Sequence, residues 1–161
     1  MRTKLYIASP FGFSEAGRAY MYGTVIPVIE ELGYEILDPW KLTSTADIMT
    51  VSAMPYGSQK RDQWRALNQT IGSNNTEALR ACDGVFAVLD GVDVDSGTAA
   101  EIGFAAALGK PVVGYRGDFR LSADNEGSTV NLQVQHFIEL NGGKLITEFS
   151  NLSQALKDTF G

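Results

Sequence analysis

The sequence predicts an α/β protein, a parallel sheet of five strands with helices covering both faces. Three observations predict it. Short apolar runs at 4–10, 34–37, 84–89, 111–115 and 144–146 alternate with segments of helical pattern, and each parallel strand needs such a crossover to return to its starting edge. The run at 84–89 (GVFAVL) is apolar or glycine at every position, as a strand covered on both faces has to be. It leads through an acidic, glycine-containing turn into a helix of small residues (AAEIGFAAALG), and folds of this kind bind ligands just beyond the carboxyl ends of their strands.

Each element has its own signal. Residues 4–10 (KLYIASP) are the first strand. Ser14 caps a helix expected to run to Leu32, bend near Pro27, where a backbone donor is missing, and stop at Gly33. Residues 34–37 form a short second strand ended by Asp38-Pro39-Trp40. Residues 41–60, rich in Ser, Thr, Gly and Met without a clear period, are expected to be a loop over a site or a mobile lid. A helix follows over 62–82, with Gly72 as a candidate break, then the strand at 84–89 and a helix opening at Thr98 as N-cap. The fourth strand (111–115), a polar loop (116–130), a helix (131–140), the fifth strand (144–146) and a closing helix (151–160) complete the alternation. No repeat, linker or low-complexity tract interrupts it, so one domain over residues 1–161 is expected.

With 161 residues, 44% hydrophobic and 20% charged, the composition is that of an ordinary globular protein. No apolar run approaches bilayer-spanning length and no signal peptide is recognisable, so a cytoplasmic location without a membrane partner is expected. A net charge of −6 argues against polymeric nucleic acid, whose phosphates demand a basic surface. Cys82 is the only cysteine, which excludes an internal disulfide, and its apolar helical setting reads as a buried bystander.

Familiar sites are absent from the sequence: there is no G-x-x-x-x-G-K-[ST], G-x-G-x-x-G or G-x-S-x-G motif and no Cys/His metal spacing. His136, the only histidine, sits on an amphipathic helix and reads as a packing or surface residue before a general base. Asp90, Asp93 and Asp95 lack the spacing of a calcium loop, and no metal is assigned. Arg116-Gly117-Asp118 reads as polar loop. What remains is carboxylate chemistry. With Thr98 as N-cap, Glu101 falls at the third helical position, facing the positive end of the helix dipole, where it is expected to stay ionised. T-x-x-E is equally a plain capping box, so those two residues alone leave cap and nucleophile both open. Gly97, Ala99, Ala100 and Gly103 leave room for a ligand around Glu101. Asp95 lies six residues earlier, and Tyr6 stands at the end of the first strand. A carboxylate nucleophile suits an electrophilic sugar carbon, and a deoxyribosyl centre most of all, because no 2-hydroxyl opposes the developing positive charge.

Tyr6-Ile7-Ala8-Ser9-Pro10-Phe11, Asn74-Asn75, Ala81-Cys82-Asp83-Gly84-Val85, Leu89-Asp90-Gly91, Asp95-Ser96-Gly97-Thr98-Ala99-Ala100-Glu101-Ile102-Gly103, Leu108-Gly109-Lys110-Pro111 and Val130-Asn131-Leu132 together resemble the nucleoside 2-deoxyribosyltransferase family over nearly the whole chain. The resemblance implies a flavodoxin-like fold and transfer of 2-deoxyribose between nucleobases through a covalent glutamyl intermediate with net retention. It also implies no cofactor, deoxyribonucleosides and free purine or pyrimidine bases as ligands, a role in nucleotide salvage, and a homo-oligomer whose sites are completed by a neighbouring subunit. Carried over, Glu101 matches the nucleophile, Tyr6 the phenol that orients it, Asp95 a carboxylate that binds sugar hydroxyls beside Gly97, and Asn131 the asparagine an adjacent subunit contributes near the 5-hydroxyl.

One departure stands out. Asn75 occupies the place of an aspartate that handles the nucleobase proton in some members, and an amide is no general acid. Either Asn75 only hydrogen-bonds the base, or Asp38 or Asp47 supplies the proton, or solvent does. Phe11 and Phe13 are candidates either to stack on the base or to fill the core. Two other readings remain: hydrolysis of 2-deoxynucleoside 5-monophosphates, in a related family that usually has serine where Asp95 stands, and a non-catalytic nucleotide-binding module.

Overall fold

Five strands form where the apolar runs lie. A computed structural model describes residues 2–161. In it β1 (Lys4–Ala8), β2 (Glu35–Leu37), β3 (Gly84–Val88), β4 (Val112–Tyr115) and β5 (Lys144–Ile146) make one all-parallel sheet in the order β2-β1-β3-β4-β5, which is the flavodoxin-like order. The period of two along each strand sorts side chains to the two faces. Leu5, Ile7, Phe86, Val88 and Val113 pack with α1 (Glu15–Tyr20), α2 (Ile26–Glu31) and α7 (Leu152–Phe160) and the residues joining the first two. Tyr6, Ala8, Val85, Ala87 and Val112 pack on the other side with α4 (Ser58–Ala81), α5 (Ser96–Ala107) and α6 (Leu132–Glu139). Tyr6 is thus aimed at the layer that carries α5.

Three expectations about helices are corrected. Residues 41–60 are not an irregular loop. Ser44 accepts a hydrogen bond from the Asp47 N–H at 3.4 Å and caps α3 (Thr45–Ala53), and α4 already begins at Ser58. Only Val51 of α3 is buried, so the helix has too little apolar face to print a period on the sequence. Gly72 does not break α4, which is continuous over 24 residues, because a glycine costs only about 1 kcal/mol against alanine. The irregularity expected at Pro27 lies just ahead of it, as a π-helical turn over Met21–Val25 in which the Ile26 N–H donates to the Met21 carbonyl. Proline has no N–H to continue the regular ladder, and the wider turn absorbs the fault.

The loop after β4 is anchored from inside, against the expectation of a merely polar loop. Arg116 is 2% exposed. Its Nη1 donates to the Leu89 carbonyl at 2.5 Å, and its Nη2 to the carbonyls of Gly91 at 3.1 Å and Arg120 at 2.7 Å. In return Asp90 Oδ1 accepts from the N–H groups of Gly117 at 2.6 Å and Asp118 at 3.0 Å. A guanidinium fork can satisfy several carbonyls at once, which is how a cation is tolerated there. Among the described residues no helix is long and apolar enough to cross a membrane.

Candidate active site

β1 and β3 are neighbours, and the chain leaves β1 toward β2 on one side and β3 toward β4 on the other. At such a switch point the following loops part and leave a crevice at the carboxyl ends. A cavity of about 320 Å³ occupies it, lined by Ser9, Phe13, Trp40, Asn75, Asp95 and Glu101, with Pro39, Ile71, Gly97 and Thr98 filling the gaps between them. That volume is in the range of small-molecule sites.

At its floor the hydroxyl of Tyr6, itself fully buried, donates to Glu101 Oε1 at 2.6 Å. Burial pushes the Glu101 carboxyl up to about 7; the Tyr6 hydrogen bond opposes this and the Asp95 charge adds to it. Burial, and then the Glu101 charge, raise the Tyr6 phenol far above its usual range, so it stays a donor. The expectation of a permanently ionised Glu101 at the third helical position is therefore corrected. Asp95, not Thr98, is the N-cap of α5: its Oδ2 accepts from the Thr98 N–H at 2.9 Å and from Thr98 Oγ1 at 3.3 Å. Aspartate and threonine are both good caps, and the earlier one is used, so Glu101 sits three residues deeper in the helix, where desolvation raises its carboxyl.

Tyr6 reaches the cavity only through its hydrogen bond to Glu101, and Asp95, Gly97, Asn75 and Phe13 join Glu101 in the cavity wall. Phe11 is not in that wall. It packs against the core with its ring edge-on to Tyr20, centroids 5.9 Å apart, so the core alternative holds for it. Phe13 does face the cavity, 73% exposed. Asn131 lies outside its own chain's cavity: its Oδ1 accepts from the Gln133 and Val134 N–H groups and caps α6, and its Nδ2 donates to Asp124. Asp38 is buried behind the wall, accepting from Tyr22 Oη at 2.9 Å and from the Trp40 N–H at 3.0 Å. Asp47 borders a separate hollow between α3 and α4. His136 is exposed, and Cys82 is buried with its thiol against the Leu79 carbonyl.

Trp40 and Ile71 line the cavity without a sequence signal for it, because Asp38-Pro39-Trp40 marks only the end of β2 and Ile71 only an apolar position of α4. The Trp40 ring stands edge-on to Phe13 with centroids 4.8 Å apart, and the pair forms an exposed aromatic ledge at the cavity mouth. Gly12 makes this possible, since a Cβ there would fall 1.9 Å from Trp40 Cε2. The adjacent amides on α4 have separate tasks. Asn74 Nδ2 donates to the Leu42 carbonyl and Thr43 Oγ1, pinning the segment after Trp40, whereas Asn75 lines the cavity and its buried Oδ1 has no hydrogen-bond partner.

Fold and cavity together define a flavodoxin-like α/β protein with a carboxyl-bearing small-molecule pocket at the switch point. The family model for nucleoside 2-deoxyribosyltransferase matches residues 5–133, and the chain belongs to that family of enzymes. Among solved structures it is similar to a conserved protein from Enterococcus faecalis V583, with 26% identity, a TM-score of 0.72 and 98% of each chain covered. It is also similar to a 2-deoxyribosyltransferase from Bacillus psychrosaccharolyticus, at 23% identity and a TM-score of 0.65 over 94% of this chain and 90% of that one. A CMP N-glycosidase from Clostridium botulinum shares the fold at 16% identity, with a TM-score of 0.57 over 96% of this chain and 97% of that one. No curated protein matches the sequence.

Proposed function

We propose that this protein transfers the 2-deoxyribosyl group from one nucleobase to another, with Glu101 as the nucleophile. The observation that carries the reading is the 2.6 Å hydrogen bond from the buried Tyr6 hydroxyl to Glu101 Oε1 at the floor of the switch-point cavity. It fixes one carboxyl oxygen and leaves the other to attack. In the first half-reaction a Glu101 oxygen bonds to the anomeric carbon as the bond to the base nitrogen breaks. In the second an incoming base attacks the same carbon and releases the carboxylate. Two inversions give net retention. Asp95 Oδ2 serves the helix cap, which leaves Oδ1 for a sugar hydroxyl, and Gly97 beside it adds no bulk. Phe13 and Trp40 offer ring faces and edges to the base, and Asn75 presents its amide to the base edge.

Asn131 of an adjacent copy is assigned to the open side of the cavity, near the sugar 5-hydroxyl. This is supported by its lying outside its own chain's pocket. The ligands are deoxyribonucleosides and free nucleobases, and no cofactor takes part. The test incubates the protein with deoxyinosine and free adenine, and with deoxyuridine and free thymine. Formation of the exchanged nucleoside, lost in Glu101→Gln, is the expected result. Base release without exchange makes the protein a hydrolase, and neither makes the pocket a binding module.

A further inference from the structure

Resting on the transferase reading, we infer that the nucleobase leaves this site as an anion, with no proton supplied by the protein, so that deoxynucleosides of acidic bases are the substrates it uses best. Each candidate acid that this chain brings to its own cavity is accounted for. Asn75 stands on α4 at the cavity wall with an amide and no acidic proton. Asp38 has both oxygens engaged, Oδ1 by the Trp40 N–H and Oδ2 by Tyr22, with Lys41 Nζ 3.7 Å away, and it is 6% exposed behind the wall. Asp47 borders a different hollow. Glu101 is consumed as nucleophile, and the proton of Tyr6 is committed to it. Asp95 Oδ2 holds the first turn of α5, and its Oδ1 is the oxygen assigned to a sugar hydroxyl. Ser9 Oγ accepts from the Phe11 N–H, and an alcohol is no acid at neutral pH. The remaining wall towards the mouth, Phe13, Trp40 and Ile71, has no acidic proton.

The step balances without an acid. The C1–Oε bond forms and the C1–N bond breaks. Its electron pair stays on the base nitrogen, the negative charge of the carboxylate passes to the base, and water protonates the base after release. Asn75 lines the wall beside the base, and with its Nδ2 turned to the edge over which that charge spreads it stabilises the anion without a proton moving. Acceptance runs the same path in reverse, so an acidic base is also the readier acceptor, entering as its anion.

The test measures kcat/KM for two donor series with the full chain, 5-substituted deoxyuridines and 6-substituted purine deoxyribosides, each series graded in the acidity of the departing N–H. Without acid assistance kcat/KM falls by close to tenfold, on the order of the Brønsted limit, for each unit that the base becomes less acidic. Asn75→Ala lowers rates but leaves this slope unchanged. Asn75→Asp flattens it, raising the least acidic donor relative to the most acidic by on the order of tenfold or more. A flat dependence in the unaltered protein overturns the inference, as does a slope that becomes steeper in Asp95→Asn, which would mark that residue as a proton source. An Asn75→Asp slope as steep as the original overturns the placing of residue 75 beside the leaving nitrogen. Failure to cleave any donor sinks the transferase reading itself, whereas cleavage with a flat slope sinks only this inference.

Discussion

Tyr6→Phe changes one hydroxyl in a site where almost everything else is held by packing. The ring stays in its buried place, and only the 2.6 Å bond to Glu101 Oε1 is lost. A hydrogen bond to a charged group contributes about 1.5–3 kcal/mol, which at 1.36 kcal/mol per pH unit is a shift of about one to two units. That bond lowers the Glu101 carboxyl, which burial pushes up to about 7 even with it in place; without it the midpoint moves higher by that amount. If the ionised carboxylate attacks, kcat/KM rises with pH through that midpoint. Well below both midpoints the variant is therefore slower by about ten- to a hundredfold, and above about pH 9 the two proteins converge apart from lost orientation. The assay is kcat/KM for the best donor from about pH 5.5 to about pH 9.5 in both proteins. A deficit of equal size at every pH, with the midpoint unmoved, refutes the claim that Tyr6 sets the ionisation of an attacking Glu101.

Asp95→Ser keeps a good helix cap, so stability changes little, but it removes a negative charge. Two unit charges about 4 Å apart at an effective dielectric near 20 repel by roughly 4 kcal/mol, and even a quarter of that shifts the kcat/KM ratio of deoxyinosine to its 5-monophosphate several-fold toward the monophosphate. An unchanged ratio removes Asp95 from the 5-end of the sugar. Asn131→Ala loses the α6 cap, lowering stability by about 1 kcal/mol in denaturant titration, and mixing it with Glu101→Gln after subunit exchange restores activity if sites are shared; strictly additive residual activity rules sharing out. Glu101→Gln also alters the pH dependence of stability. The folded protein holds the Glu101 proton more tightly than the unfolded chain, from 4.5 up to about 7, so this contribution is full below about pH 4.5 and is lost as pH rises through 7. The loss is at most about 3 kcal/mol, and thermal unfolding of Glu101→Gln across that window should lack it.

The central strands were legible because burial on two faces writes itself into sequence as apolar runs of the right length, whereas the flavodoxin-like order followed only from the family resemblance. The D-S-G-T-x-x-E segment drew attention through residue type, and the structure gathers Asp95, Gly97 and Glu101 from it around one cavity. The cap of α5 was not legible, because Asp95 and Thr98 are interchangeable as caps, and the choice between them moved Glu101 from the dipole's end to a largely desolvated place in the cavity wall. The helix α3 was hidden by its exposure, although Ser44 three residues before Asp47 was a readable start. Phe11 and Phe13, two residues apart, look alike in sequence; the 3-10 turn over Pro10–Phe13 sends one to the core and the other to the cavity. Trp40 becomes a pocket residue only through Gly12, a contact between loops that no local pattern announces.

Because one buried guanidinium grips carbonyls from both the loop after β3 and the loop after β4, neither loop can open alone without stranding a charge in the interior. Local unfolding there is a joint event. The amides of Gly117 and Asp118, held by Asp90, then exchange with solvent hydrogen at one shared opening free energy, together with the backbone that leads to Asp95. The turn after β3 and the start of the loop after β4 accordingly open as a single unit.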